Sequence, residues 1–237
     1  MSAEYTHFAA MARIAYLDNA EQDFKELGYN ESLLIDVDGA QAHIAVNNER
    51  IVVAFRGTEP TEWNDIKADL RAFHEDGFHK GFLTEYRKLE QRIKNRIKNF
   101  KLENPNREIY ITGHSLGGAM ATVASCLLEE DIKAVYTFGA PRACSWKTSK
   151  KYNVNHIRVV NNNDVVPKVP FVWIGFKHVG SLHYMNFYGD VRNMTRWQRF
   201  KDGWRGRWKA IKKKVPFDGF YDHSMNEYCR FLEDGKW

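Results

Sequence analysis

The sequence is short of cysteine, of long apolar runs and of repeated segments. Its three cysteines, Cys126, Cys144 and Cys229, are widely spaced, and an odd number fits neither a disulfide framework nor a zinc pattern. No apolar run approaches the ~20 residues that a membrane span needs. The N-terminal residues show no basic stretch followed by an apolar core, so no signal peptide is visible. We therefore expect a reduced compartment and a cytoplasmic or peripheral membrane location, with secretion by another route left open.

What is present is enough for one large domain. The chain has 237 residues, 43% of them hydrophobic, and no linker or low-complexity segment divides it, which predicts a single domain over residues 1–237. The net charge is +5, but residues 192–215 hold ten Lys or Arg and one acidic residue. That segment carries +9, which leaves −4 for the rest. The protein is therefore slightly acidic with one basic segment.

Hydrophobic periodicity predicts strands that alternate with helices. A helix is expected over 3–17, and strands are expected within 32–56. Apolar residues from Phe82 to Phe100 recur every three or four positions, which predicts a long amphipathic helix. The following segments are a strand at 108–112, a helix at 116–129 and strands at 133–139 and 156–161. This order predicts an α/β fold with a mostly parallel central sheet flanked by helices.

A serine lies between two glycines where a strand meets a helix. Gly113, His114, Ser115, Leu116 and Gly117 form the pattern G-x-S-x-G, preceded by the β-prone EIYIT and followed by a helix of small residues. In a nucleophile elbow, the glycines leave room for a tight turn and for close helix packing. The pattern predicts Ser115 as a nucleophile. The alternative is a turn serine that caps the helix.

A nucleophilic serine needs a histidine base and an acid that orients the histidine. Asp164 follows the strand HIRVVN, so it is the candidate acid; the alternative is an aspartate that only closes a turn. In the chain order Ser, acid, His, the candidate bases are His178, His183 and His223. His223 lies nearest the C-terminus, as the order favours.

Two backbone donors are expected for an oxyanion hole. The elbow supplies the N–H of Leu116, which follows the nucleophile. Thr58 ends the buried strand that precedes the elbow, so it offers an N–H and a hydroxyl from an earlier loop.

These residues belong to a longer series of ordered motifs. The series resembles the class 3 lipases, the fungal-type triacylglycerol lipase family, over roughly residues 50 to 230. The matching motifs in chain order are VVAFRGT, W-x-D-I-x-x-D from Trp63, HKGFLTEY, ITGHSLGGAMA, YTFGAPR, RVVNNNDVVPKVP, KHVG and DHSMNEY.

The resemblance implies an α/β-hydrolase fold and a triad of Ser115, Asp164 and His223. It also implies Thr58 and Leu116 as oxyanion donors, with His178 as a neighbour of the triad rather than its base. A lipase, phospholipase A-type enzyme or esterase acting on acyl esters is implied, with no metal or organic cofactor. Residues 59–65 would be its lid, and they are polar apart from Trp63, which predicts weak interfacial activation through that loop.

The basic segment, residues 190–215, separates the candidate acid from the candidate base. Its tryptophans recur at helical spacing opposite Lys and Arg, which is typical of a helix that lies in a membrane interface. We therefore expect peripheral contact with an anionic membrane. The predicted docking residues are Trp197, Trp204, Trp208, Arg205, Arg207, Lys212, Lys213 and Lys214.

Other interpretations stay open at this stage. The tryptophans of the basic segment pack on the domain if it is an ordinary surface helix, and interleaved Arg and aromatic residues also stack nucleic-acid bases, which is the least favoured interpretation. The enzyme class has two alternatives, an esterase for small soluble esters and a non-catalytic lipid-binding module. The sequence predicts no oligomeric state.

Overall fold

The computed structural model describes residues 2–58, 74–186, 188, 190–192, 194–195, 197–204 and 223–233. Its strands are β1 (Glu31–Val37), β2 (Ala40–Val46), β3 (Arg50–Phe55), β4 (His74–Glu75), β5 (Phe78–His79), β6 (Glu108–His114), β7 (Ile132–Phe138), β8 (Cys144–Ser145), β9 (His156–Asn161), β10 (Phe176–Lys177), β11 (Ser181–Met185) and β12 (Val191–Arg192). Its α-helices include α1 (Ser2–Ile14), α2 (Glu21–Glu26), α3 (Lys80–Glu103), α4 (Leu116–Leu127), α5 (Trp146–Lys151) and α6 (Met225–Glu233). Residues 197–204 are also helical.

One sheet organises the fold. Its strand order is β1-β2-β3-β6-β7-β9-β11-β12. The central pairs from β3 to β11 are parallel, and the pairs at both edges are antiparallel. Strands β10, β8, β5 and β4 form a second, small sheet. The mostly parallel sheet predicted from the sequence is confirmed, and it places the C-terminal ends of β3, β6, β7 and β9 along one edge.

Helices cover both faces because alternate strand residues point to opposite sides. Ile51 and Val53 of β3 belong to a core with the apolar side of α3 and with α4. Val52 between them belongs to a second core, formed with α1 and α6. The predicted amphipathic helix begins two residues before its apolar pattern and ends three residues after it, and its periodic positions from Phe82 to Phe100 are buried. Within the part of the chain described here, every helix is too short or too polar to cross a membrane.

The basic segment is not one helix from 190 onward. Val191 pairs with Met185 at the edge of the sheet, so its backbone is extended. Helical structure then begins after Thr195, whose N–H donates to Gln198 Oε1 (2.8 Å) while the Gln198 N–H donates to Thr195 Oγ1 (3.3 Å). This reciprocal cap satisfies donors that the first turn of a helix leaves open. The helix expected within the basic segment therefore begins after the strand at 191–192, and residues 205–215 lie outside the described residues.

Candidate active site

Ser115 lies in the sharp turn between β6 and α4. Its backbone has φ 58° and ψ −127°, a conformation that non-glycine residues seldom adopt. The neighbouring glycines make this turn possible. A Cβ on Gly113 would lie 2.4 Å from the carbonyl carbon of Gly117, and a Cβ on Gly117 would lie 2.3 Å from the Phe55 carbonyl oxygen. The turn therefore has the geometry of a nucleophile elbow, and glycine is required on both sides of the serine.

The Ser115 hydroxyl is enclosed and available. The residue has no exposed surface, and its Oγ has no hydrogen-bond partner among the described residues. Most buried hydroxyls are hydrogen-bonded. A turn serine that caps its helix would use this oxygen, but the Ser115 side chain makes no capping hydrogen bond.

Asp164 follows β9 and is fully buried. Its carboxylate accepts a hydrogen bond from the Val166 N–H at Oδ1 (2.9 Å) and from the Tyr228 hydroxyl at Oδ2 (2.7 Å). The Nδ1 atom of His223 lies 2.9 Å from Oδ2 and 3.1 Å from Oδ1. Tyr228 is itself fixed, because its hydroxyl accepts the Asn161 N–H (2.9 Å). The carboxylate is thus held by groups from three segments of the chain.

His223 presents one nitrogen to that carboxylate. Since an ionised carboxylate only accepts hydrogen bonds, we assign the imidazole proton to Nδ1, which makes Nε2 the basic nitrogen of the ring. His223 is 2% exposed. The other two candidate bases lie elsewhere: His178 Nε2 is 2.7 Å from the Pro167 oxygen, and His183 Nδ1 is 3.3 Å from the Tyr5 hydroxyl.

His114 joins the elbow to His223. The two rings lie 4.5 Å apart, and His114 Nε2 is 2.7 Å from the carbonyl oxygen of His223. His114 Nδ1 lies 2.8 Å from the Tyr16 hydroxyl. Burial and then the neighbouring His223 lower the pKa of His114 well below its usual value. A neutral His114 therefore donates to the His223 backbone and accepts from Tyr16, so it ties His223 to the residue that precedes Ser115.

Gly139 is a further requirement that the sequence analysis did not single out. It follows β7 with φ 58°. A Cβ there would lie 2.8 Å from Asp164 Oδ2 and 2.9 Å from His223 Nδ1. Only glycine leaves room for the acid and the imidazole to meet. The sequence could have indicated Gly139, because it is the glycine of YTFGAPR and comes directly after a strand. Nothing comparable in the sequence indicated Tyr228, which lies five residues after His223.

Of the two predicted oxyanion donors, Thr58 shares one cavity with His223 and another with Leu116. Gly57 packs so closely that a Cβ would lie 2.6 Å from the His114 carbonyl oxygen, which brings the next residue, Thr58, to the elbow. Thr58, His114 and His223 line one cavity of about 550 Å³. Leu116 begins α4, and N–H groups in the first turn of a helix have no acceptor within it. Their role as oxyanion donors stays a prediction.

The predicted docking residues are only partly described. Trp197 and Trp204 are 63% and 49% exposed. Trp208, Arg205, Arg207, Lys212, Lys213 and Lys214 lie outside the described residues, as do the lid segment 59–65 and the W-x-D-I-x-x-D motif from Trp63.

Residues 52–173 match the family model described as Lipase (class 3). The secreted mono- and diacylglycerol lipase 1 of Fusarium solani is 31% identical over 165 residues, covering 62% of this chain and 48% of that protein. The secreted mono- and diacylglycerol lipase A of Penicillium cyclopium is 30% identical over 171 residues, covering 66% and 54%. The chain thus spans about half the length of the curated relatives it matches.

Lipase II from Rhizopus niveus has a similar solved structure. Its TM-score is 0.73 at 20% sequence identity, and the match covers 94% of this chain and 92% of that chain. At this identity the likeness shows the fold alone, and the predicted α/β-hydrolase fold is confirmed.

The relatives correct the expected location. Both proteins named above are described as secreted, which contradicts the prediction of a cytoplasmic location. The prediction of a cytoplasmic location rested on two observations: no signal peptide was visible, and the number of cysteines was odd. A core of this size is stable without disulfides, so few cysteines do not identify a reducing compartment.

Proposed function

The chain belongs to the class 3 lipase family, and from this premise we propose that it is a serine hydrolase that cleaves acyl ester bonds of lipids through an acyl-enzyme. One observation carries the proposal. The Asp164–His223 pair, with 2.9 Å between Oδ2 and Nδ1, lies against the elbow that holds a buried Ser115 hydroxyl.

In the proposed mechanism, His223 takes the Ser115 proton while Oγ attacks the acyl carbonyl carbon. Asp164 keeps the imidazole in the Nδ1–H tautomer and stabilises its protonated form. The N–H groups of Leu116 and Thr58 stabilise the negative oxygen of the tetrahedral intermediate; losing one such donor typically slows the reaction by ~100- to 1000-fold.

The intermediate then collapses. The carbon–oxygen bond to the alcohol breaks, and His223 returns its proton to the departing oxygen. Water attacks the Ser115 acyl ester, again giving a proton to His223, and the carboxylic acid leaves as Ser115 recovers its hydrogen. Protein side chains carry every proton, so the mechanism requires no metal or organic cofactor.

The proposed substrates are lipid esters, acted on outside the cell. The relatives named as secreted mono- and diacylglycerol lipases support this class. Phospholipase A-type activity at an anionic membrane is a second candidate. It is favoured by exposed aromatic and aliphatic residues in two segments, 171–174 and 197–204, which we call the aromatic rim. Their exposed members are Phe171, Val172, Trp173, Ile174, Trp197, Phe200 and Trp204, between 39% and 79% exposed. Such a surface matches the interfacial contact expected of aromatic side chains.

The test compares wild type with Ser115→Ala on p-nitrophenyl butyrate and on anionic and zwitterionic phospholipid vesicles. We expect the ester turnover to fall at least ~1000-fold, and Ser149→Ala, which changes a serine on α5, to keep it. Unchanged turnover in Ser115→Ala would overturn the proposal. Faster wild-type hydrolysis of anionic vesicles would support the second candidate, whereas activity on the soluble ester alone would leave a small-ester esterase.

A further inference from the structure

A second cavity, of about 790 Å³, is lined by Asp164 but not by His223. We call it the cationic cavity because four basic side chains line it. They are Arg142, Arg158, Lys168 and Arg199. His178, which was not needed as the base, also lines it. These residues come from different segments of the chain, and the proposed hydrolysis uses none of them.

The three arginines of the cationic cavity have no ion-pair partner among the described residues. The only carboxylate that lines it there is Asp164, which is committed to His223 and Tyr228. Asp202 is buried nearby and accepts the hydroxyl of Tyr184 (3.2 Å). In that part of the chain, no ion pair involves Arg142, Arg158 or Arg199.

Two guanidinium groups have unmatched donors. The buried Nε atoms of Arg158 and Arg199 have no hydrogen-bond partner among the described residues. Burial, followed by the neighbouring Arg142 and Arg199, lowers the pKa of Arg158 to about 10. Arg158 is still charged at neutral pH, so β9 holds a cation near two others. A buried charge without a partner is costly, and an anion in the cavity would remove that cost.

Each arginine of the cationic cavity is placed by the elements or carbonyl oxygens around it. Arg142 is fixed by the carbonyl oxygens of Pro170 (2.9 Å) and Lys168. Arg158 projects from the central strand β9, and Arg199 lies in the helical segment 197–204. Arginine is suited to phosphate because its planar guanidinium donates two parallel hydrogen bonds. We propose that the cationic cavity binds a phosphate group, held by Arg158 and Arg199 with Arg142 and Lys168 alongside.

The aromatic rim favours a phosphate that is attached to a lipid. Val172, Phe200 and Trp204 line the same cavity as the arginines, so exposed apolar side chains surround the cationic site. A headgroup phosphate would enter between them while the aromatic rings contact the lipid interface. The proposal that this phosphate belongs to a lipid rests on the proposed function. The proposal that the cavity binds phosphate does not.

The first measurement is thermal unfolding with sodium phosphate against sodium chloride at equal ionic strength. Phosphate at about 100 times its Kd should raise the wild-type Tm by roughly 5–10 °C. Arg158→Gln and Arg199→Gln should lose most of this shift. Arg96→Gln, which removes an exposed charge from α3, should keep it. Equal shifts in all four proteins, or no shift in wild type, would overturn the site.

A second readout separates binding from a structural role. In phosphate-free buffer, Arg158→Gln should be at least as stable as wild type, because it removes a half-buried charge that has no ion-pair partner among the described residues. A large loss of stability in that buffer would mean that Arg158 serves the fold. In that case the site is tested by Arg199→Gln alone, through the loss of the phosphate-induced rise in Tm.

Vesicles distinguish the two sources of phosphate. The Ser115→Ala protein, which hydrolyses nothing in the proposed mechanism, is sedimented with phosphatidylcholine vesicles carrying either phosphatidic acid or cholesteryl hemisuccinate at equal surface charge. Stronger binding to phosphatidic acid, lost when Arg199→Gln is added, supports a lipid phosphate. Equal binding to the two kinds of vesicle, with the phosphate-induced rise in Tm intact, would overturn the proposal of a lipid phosphate. The cavity would then be assigned to a soluble phosphate. Because binding is measured without turnover, failure of the hydrolase proposal would not be mistaken for failure of this one.

Discussion

Asp164 takes part in two sites whose charged groups differ in how completely they are hydrogen-bonded. Toward α6, its carboxylate accepts hydrogen bonds from His223, Tyr228 and Val166. In the cationic cavity, the Nε atoms of Arg158 and Arg199 have no partner among the described residues. A site that reacts through its own side chains gains from hydrogen bonds that are complete before substrate arrives. A site that awaits an anion gains from donors that are left open.

The largest expected effect comes from Asp164→Asn, which removes the charge from the first site. The amide no longer fixes the Nδ1–H tautomer of His223 or stabilises its protonated form, so kcat should fall by about 10,000-fold. Turnover of p-nitrophenyl butyrate measures it. Asp131→Asn, at an exposed position, is the control with the same change of charge, and a loss below tenfold for Asp164→Asn would contradict its role as the orienting acid.

Tyr228→Phe weakens the same site without changing its charge. The Asp164 carboxylate loses a 2.7 Å hydrogen bond and the Asn161 N–H loses its acceptor. We expect the free energy of unfolding to fall by about 1.5–3 kcal/mol and kcat to fall about tenfold. Tyr110→Phe, whose hydroxyl meets a half-exposed Glu108, should cost less. If both variants lose the same stability and Tyr228→Phe keeps full activity, Tyr228 does not position the acid.

The third expected effect is a change in acid sensitivity beside the cationic cavity. Burial, and then Arg158, lowers the pKa of His156 to about 3. The unfolded chain therefore binds this proton near pH 6.5, so stability is fully present above that pH and is lost as the pH falls from about 6.5 toward 3. The loss is roughly 1.4 kcal/mol per pH unit.

His156→Gln should remove about one proton from that slope, measured by urea unfolding between pH 6.5 and 4. His74→Gln, at an exposed imidazole, should leave the slope nearly unchanged. An unaltered slope in His156→Gln would show that other groups carry the acid sensitivity.

The central elements were predictable because their signals are local. Apolar periodicity located α3, and the strand–glycine–helix context located the turn at Ser115. The alternation of strands and helices predicted the α/β fold, the ordered motifs predicted the family, and both predictions are confirmed. The roles assigned to Ser115, Asp164 and His223 stay predictions, although the structure brings the last two together.

The remaining features depend on distant residues that only the folded chain brings together. Gly139 must be glycine because the Asp164 carboxylate and the His223 imidazole, which come later in the chain, pack against it. Arg158, within HIRVVN, resembles an ordinary exposed strand residue until Arg142 and Arg199 are placed beside it. The helix after Thr195 begins at a reciprocal cap between Thr195 and Gln198. The spacing of the tryptophans carries no information about this cap.

The most direct test asks whether Ser115 is the nucleophile that the Asp164–His223 pair serves. Wild type is treated with a fluorophosphonate probe and analysed by peptide mass spectrometry. A single phosphonyl adduct on Ser115, formed much more slowly in Asp164→Asn, is the predicted result. No adduct on wild type, or an adduct on another serine at the same rate in both proteins, would contradict it.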